Sequence, residues 1–204
     1  MGDGEAARAV AALRAGRPVV LPTDTVYGLC ALPYRPEPVR AAYRVKGREE
    51  TQPSALVAAD VDLLFECIPE LRSRVGGMLR TLLPGPLTLV VPNPARRFRW
   101  LTGATPDAIG VRVPELPGVA ASVIATVGAV VATSANLPGR PDPRRLEDVP
   151  PEIRDRCGCV IDGGELPGVP STVIDLTGDE PRLLREGAAP AADVLGRIAS
   201  LAGE

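Results

Sequence analysis

Short apolar runs recur along the chain, each closed by a proline, a glycine or a cluster of hydroxyl residues. Between them, apolar positions fall three or four apart. Residues 19–21 read as a buried strand that ends at Pro22, where the ladder loses a donor. Further short runs at 29–32, 54–58, 87–91, 109–113, 129–133, 159–162, 171–175 and 182–184 also predict strands. Helical spacing predicts helices over 3–15, with Asp3 as cap and Gly16 as stop, and over 36–45, with Pro38 near the start and Gly47 as stop. Residues 60–67, 69–83, 116–127 and 190–201 complete the helices. Residues 92–103 read as a loop. Residues 138–151, with five prolines and the pair Arg144-Arg145, read as a lid or mobile loop. Strands and helices alternate without repeat or linker, so the expected class is α/β: a single domain over 1–204 with a twisted mixed sheet and flanking helices.

Composition narrows the choice of chemistry. The net charge of −2 argues against a generally basic surface, and 3% aromatic residues argue against a base-stacking platform. No apolar run approaches the roughly 18 residues of a membrane span, and no secretory start is present, so a cytoplasmic protein is expected. The four cysteines have no CxxC spacing and read as cytosolic thiols. Histidine is absent, which removes Ser-His-Asp, Cys-His and histidine-metal sites together. Chemistry is left to Lys, Arg, carboxylates, hydroxyls and backbone groups, with Mg2+ carried in by phosphates as the expected metal.

Several stretches have residue types suited to such chemistry. Residues 22–29, PTDTVYGL, crowd two threonines, Asp24 and Tyr27 between a strand and a glycine, either as a self-capping turn or as the floor of a small-molecule pocket. Lys46-Gly47-Arg48 is either a cationic helix end or an anion site into which the backbone can come close. Pro84-Gly85-Pro86 sets up a turn with Thr88 early on the next strand. Period two puts Gly110 and Arg112 on one face of a strand, with Ile109, Val111 and Val113 on the other. Thr133-Ser134-Ala135-Asn136 ends a strand, where open α/β sheets line ligand crevices, or forms a local turn. Residues 171–175, STVID, put hydroxyls at a strand's head, and Leu184-Arg185-Glu186-Gly187 places another arginine near a glycine.

The ordered series PTDTVYGL, KGR, PGPLT, GVRVP, TSAN, STVID and LREG resembles the short, single-domain form of the threonylcarbamoyl-AMP synthase family over about residues 16–188. The resemblance implies an α/β fold around a positively charged concave cleft. It also implies a nucleotidyltransferase reaction in which L-threonine, bicarbonate (or CO2) and ATP give threonylcarbamoyl-adenylate and pyrophosphate. The product feeds N6-threonylcarbamoyladenosine at position 37 of tRNAs reading ANN codons, which makes the tRNA threonylcarbamoyl-transferase machinery the expected partner. The threonine carbamate is itself the nucleophile, so the protein need supply only positioning and positive charge. By motif, Thr25, Arg112, Ala132 and Ser171 fall to threonine, with Tyr27 walling its pocket. Lys46 and Arg48 take the catalytic role. Arg48, Gln52, Thr88, Ser134, Asn136 and Arg185 take ATP, with Mg2+ and no organic cofactor.

The chain departs from the family pattern at three points. Glu49 stands where proline is common and is expected to face solvent, Gln52 stands where lysine or asparagine is usual, and Leu137-Pro138-Gly139 follows the SAN motif. Longer relatives have an additional C-terminal domain, which this chain is expected to lack. Two other readings remain open from the residues. One is a double-stranded RNA or tRNA module using Arg96-Arg97-Phe98-Arg99-Trp100, with weak direct RNA binding. The other is a carbamoyl-adenylate-forming domain of the kind embedded in longer proteins.

Overall fold

The computed structural model describes residues 2–72 and 75–202. Its elements in chain order are α1 (Gly2–Arg14), β1 (Val19–Pro22), β2 (Tyr27–Ala31), α2 (Pro36–Lys46), β3 (Ala55–Ala58), α3 (Val61–Cys67), α4 (Gly76–Leu82), β4 (Leu87–Pro92), β5 (Ala108–Arg112), α5 (Gly118–Val127), β6 (Ala129–Ser134), α6 (Pro151–Arg154), β7 (Cys159–Val160), β8 (Thr172–Asp175), β9 (Arg182–Arg185) and α7 (Ala191–Ala202). The stretch expected as one helix over 69–83 is a 3-10 turn at Pro69–Arg72 followed by α4; residues 73 and 74 of that expectation lie outside the described residues.

The nine strands among the described residues form one mixed sheet in the order β7-β1-β2-β6-β3-β5-β4-β8-β9. The β1/β7, β3/β5 and β4/β8 pairs are parallel and the rest antiparallel. Strand alternation divides the side chains between the two faces. Val20, Tyr27, Leu29, Leu56, Leu89, Val111, Val131 and Ile174 join the larger core, where α2, α3, α4 and α7 cover the sheet. Val19, Leu21, Cys30, Val57 and Val130 join a second core under α1 and α5. Each fully buried aliphatic or aromatic side chain contributes roughly 1.5–3 kcal/mol, so the larger core dominates the driving force.

Helices α1 and α5 pack against each other and cover only part of the second face. The strand register shows what the remainder exposes. Ala132 pairs with Ala55, Ala55 with Gly110, Gly110 with Val90, and Val90 with Asp175. Two alanines and a glycine on adjacent central strands leave a trough across the sheet.

One expectation about a loop is corrected, and a second loop is tied to the body of the chain. Residues 138–151 do not form a free lid: they contain a 3-10 turn at Leu146–Asp148, the carbonyl of Pro143 accepts from Tyr27 N at 3.0 Å, and Val149 is fully buried. Pro143 and Val149 anchor the segment by burial, while residues 138–141, 144–145 and 147–148 stay exposed. The basic-aromatic loop is likewise tied inward. Arg97 makes two contacts to Glu70, Arg96 reaches Asp107, and Trp100 Nε1 donates to the Pro33 carbonyl at 2.8 Å. Arg99 stays exposed beside them. Among the described residues no helix is long and apolar enough to cross a membrane.

Candidate functional site

A cavity of about 550 Å³ occupies the uncovered part of the second face. Its floor is Gly28, Ala132, Ala55, Gly110 and Val173, one small or β-branched residue from each of five strands. Arg48, Arg112, Arg182 and Arg185 line it, against Asp142 and Asp175. Its size suits a small molecule of nucleotide scale, and its polar groups converge from separate elements, as ligand sites require.

The turn between β1 and β2 builds one end. Thr23 Oγ1 donates to the Val26 carbonyl at 2.7 Å and receives the backbone N–H groups of Thr25 and Val26 at 3.2 Å. This turn is therefore self-capped, as the plainer reading of PTDTVYGL had it, and it also borders the cavity. Thr25 Oγ1 accepts from Arg112 Nη2 at 2.8 Å, and the same nitrogen contacts Asp24 Oδ1. Arg112 lies on the trough side of β5, opposite buried Val111, as period two predicts. Nothing in the sequence marks Asp24 as its partner.

On β4, the strand paired with β5, Thr88 shares a hydrogen bond of 2.8 Å with the Ser171 hydroxyl. Arg185 donates to the Ser171 carbonyl at 2.8 Å and to its Oγ at 3.2 Å. This requires the chain after β9 to lie against Ser171. At Gly187 an added Cβ would fall 2.1 Å from the Pro170 carbonyl oxygen, so only glycine permits the approach. Beyond it, Asp175 accepts from Thr177 and Arg182, which lowers its pKa despite burial.

Lys46 and Arg48 leave α2 in different directions. Gly47, at φ 70°, caps the helix in the left-handed region and turns the chain. Arg48 then lines the cavity, donating to the Pro53 carbonyl, while Lys46 points behind it and is 4% exposed. Its Nζ donates to the Ser134 carbonyl at 2.6 Å, the Asn136 carbonyl at 2.9 Å and Asn136 Oδ1 at 2.6 Å. Burial, helped by Arg48 and opposed by Asp142, lowers the ammonium to about 8. Burial also lowers Arg48 and Arg185 from the usual guanidinium range.

The structure brings Thr25, Arg48, Thr88, Arg112, Ala132, Ser134, Ser171 and Arg185 to one cavity. Four sequence-selected residues fall elsewhere. Tyr27 does not wall the trough: it starts β2 facing the larger core, fully buried, and its hydroxyl donates to Asp162 Oδ1 and the Gly164 carbonyl. The neighbouring Gly28 faces the trough instead, because adjacent strand residues point to opposite faces. Burial raises the Tyr27 hydroxyl to about 12. Lys46 and Asn136 lie behind the lining, where they hold Ser134. Asn136 Oδ1 accepts from Ser134 Oγ at 2.7 Å, and its amide donates to the Arg140 carbonyl at 2.5 Å. Gln52 is exposed and outside the cavity lining, and Glu49 is exposed as expected. Ala55 and Asp142 also line the cavity, as does Gly110, which shares its strand face with Arg112. Small residues at strand positions were the available signal for Ala55 and Gly110; Asp142 had none.

Residues 11–187 match the family profile of the Sua5, YciO and YrdC proteins, described as "Telomere recombination". The chain is 34% identical to the threonylcarbamoyl-AMP synthase of Pyrococcus abyssi over 89% of its length and 54% of that protein. It is 32% identical to the Bacillus subtilis threonylcarbamoyl-AMP synthase over 91% of its length and 54% of that protein. The chain therefore spans about half the length of these curated relatives. It superimposes on the crystal structure of P. abyssi Sua5 complexed with L-threonine with a TM-score of 0.84, at 35% identity, covering 93% of this chain and 56% of that one.

Proposed function

The chain belongs to the Sua5/YciO/YrdC family, and on that premise we propose that its trough forms threonylcarbamoyl-adenylate and pyrophosphate from L-threonine, bicarbonate (or CO2) and ATP. The adenylate then passes to a tRNA threonylcarbamoyl-transferase in the cytoplasm. The observation that carries this reading is one cavity in which hydroxyls and guanidinium groups converge over a floor of small residues. Thr25, Ser171 and Arg112 offer two hydroxyls and a guanidinium suited to an amino acid's polar groups. Arg48, Ser134 and Arg185 surround a region suited to phosphates.

The residues then divide the work. Arg112 binds the threonine carboxylate, and Thr25 and Ser171 meet its polar groups. Arg48 and Arg185 hold the triphosphate, and Ser134, kept in place by Lys46 and Asn136, orients it. The carbamate of threonine attacks the α-phosphorus and pyrophosphate leaves, so rate comes from alignment and from cations placed where charge shifts. Mg2+ would arrive on the ATP phosphates: among the described residues no cluster of three potential ligands could hold it, Asp175 is engaged by Thr177 and Arg182, and Asp142, which lines the cavity, would supply at most one carboxylate. A single carboxylate suffices for an ion that keeps most of its ligands as phosphate oxygens and water. When bound, Mg2+ neutralises phosphate charge.

Pyrophosphate release from ATP, with threonine and bicarbonate omitted in turn, tests the reading. Release is expected only with both present. Release that is indifferent to threonine would exclude the proposal.

A further inference from the structure

Two carboxylates line the cavity, and they are differently engaged. Asp175 accepts from Thr177 and Arg182, whereas the Asp142 carboxylate has no hydrogen bond or ion pair among the described residues. Its surroundings are cationic. Arg48 and Arg185 line the same cavity and donate to neutral acceptors, the Pro53 carbonyl and the Ser171 carbonyl and hydroxyl. The charge of Asp142 reaches Arg185 and the Lys46 ammonium and favours the protonated form of both, yet it closes on neither. The backbone holds it in this place. Pro141 and Pro143 flank Asp142 and restrict the chain on both sides. The Arg140 carbonyl accepts from the Asn136 amide, and the Pro143 carbonyl accepts from Tyr27 N. Asp142 is therefore a partly buried carboxylate fixed at the cavity wall, among cations, with its own charge uncompensated.

Guanidinium groups alone would favour the most highly charged form of a triphosphate, which is the metal-free nucleotide. A fixed carboxylate among them works against that form, because like charges repel most strongly where water is partly excluded. We propose that Asp142 determines which form of the nucleotide the trough accepts: the magnesium complex of ATP over metal-free ATP. This deepens the reading of the trough as an ATP site and rests on it. With a divalent cation on the phosphates, the repulsion at Asp142 becomes attraction. One carboxylate is enough for that, since Mg2+ keeps most of its ligands as phosphate oxygens and water. Discrimination by an unpaired charge set against the wrong ligand is a common source of specificity, and here it requires that no protein cation neutralise Asp142 beforehand. The absence of a closed ion pair between Asp142 and either Lys46 or Arg185 meets that requirement.

Calorimetry of ATP binding, without threonine or bicarbonate, tests the assignment in two buffers of equal ionic strength, one with excess Mg2+ and one with EDTA. Wild-type protein should bind the magnesium complex at least tenfold more tightly than metal-free ATP. Asp142→Asn and Asp142→Ser should abolish that preference, chiefly by tightening metal-free ATP at least fivefold. Glu49→Gln removes an exposed carboxylate outside the cavity lining and should leave the wild-type preference within twofold, which separates a local effect from one of net charge. Equal wild-type binding in the two buffers overturns the inference, and that measurement does not depend on any variant folding. Asp142 variants that keep the wild-type preference also overturn it, as does a Glu49→Gln protein that loses the preference to the same extent. Wild-type protein that binds ATP in neither buffer would remove the ATP reading of the trough itself.

Discussion

Lys46 Nζ lies 2.6 Å from Asn136 Oδ1, across 90 residues of sequence, and the same ammonium holds the carbonyls of Ser134 and Asn136. The strand-end loop that presents Ser134 to the cavity is thus fixed from behind by a lysine that does not line it. In the proposed mechanism Lys46 is a positioning residue, although it belongs to the same short motif as the cavity-lining Arg48.

Lys46→Met should therefore leave several buried acceptors unpaired. We expect a stability loss of about 1–3 kcal/mol and a fall in turnover of more than tenfold. Lys46→Arg should not restore it, because a planar fork cannot meet acceptors clustered around one point. Thermal denaturation and pyrophosphate-release kinetics on both variants check this. A Met variant with normal stability and normal turnover would show that the clamp does not matter.

The Lys46 ammonium also sets a pH window. In the folded protein it titrates near 8, whereas its ordinary value is 10.5. Between these values the unfolded chain binds more protons than the folded one, so this group's contribution to stability rises with pH through the window and is lowest below 8. ATP affinity should move the opposite way above pH 8, as a cation behind the cavity is lost. Melting temperature and the KM for ATP, compared between wild type and Lys46→Met, isolate the effect. Parallel trends in the two proteins would assign the titration to another group.

Tyr27→Phe distinguishes a core residue from a cavity wall. The change removes the hydroxyl that meets Asp162 and the Gly164 carbonyl and receives Gly163 N at 3.0 Å. Stability should fall by about 1–3 kcal/mol, while kcat/KM at a temperature well below the transition stays within twofold. A kinetic loss without a stability loss would return Tyr27 to the site.

Gly110→Val fills the trough. A Cβ there would sit 3.6 Å from Thr88 Cγ2 and 3.7 Å from Ala55 Cα, ordinary contacts that the sheet tolerates. Valine suits a strand, so folding should be retained. Its methyls would occupy the cavity floor, and turnover should drop at least tenfold. Unchanged kinetics in this variant would move the reactants off the centre of the sheet.

Amino-acid choice follows from the pairing of hydroxyls with apolar neighbours near Thr25. Threonine should react best and serine roughly 10- to 200-fold less well, for the loss of a methyl's packing. Valine should be nearly inert, because it leaves buried polar groups unpaired. Pyrophosphate release with each amino acid in turn decides it. Equal rates would mean that the pocket does not read the hydroxyl.

The local pattern determined the α/β alternation, most element centres and the side of β5 on which Arg112 stands, because strand period and helix stops are properties of neighbouring residues. The motifs also identified most of the residues that meet at the cavity. What the sequence could not decide was which side of each motif residue faces the ligand. Tyr27 and Gly28 are adjacent, and only the packing of α2 and the helices beside it shows that the tyrosine belongs to the core. Lys46 and Arg48 flank one glycine, and beyond the turn at Gly47 Arg48 lines the cavity while Lys46 holds Ser134 from behind. The trough itself exists because Ala132, Ala55 and Gly110, distant in sequence, fall in register on three adjacent strands, and because α1 and α5 stop short of covering them. Such register and coverage are set by long-range pairing, which no window of the sequence contains.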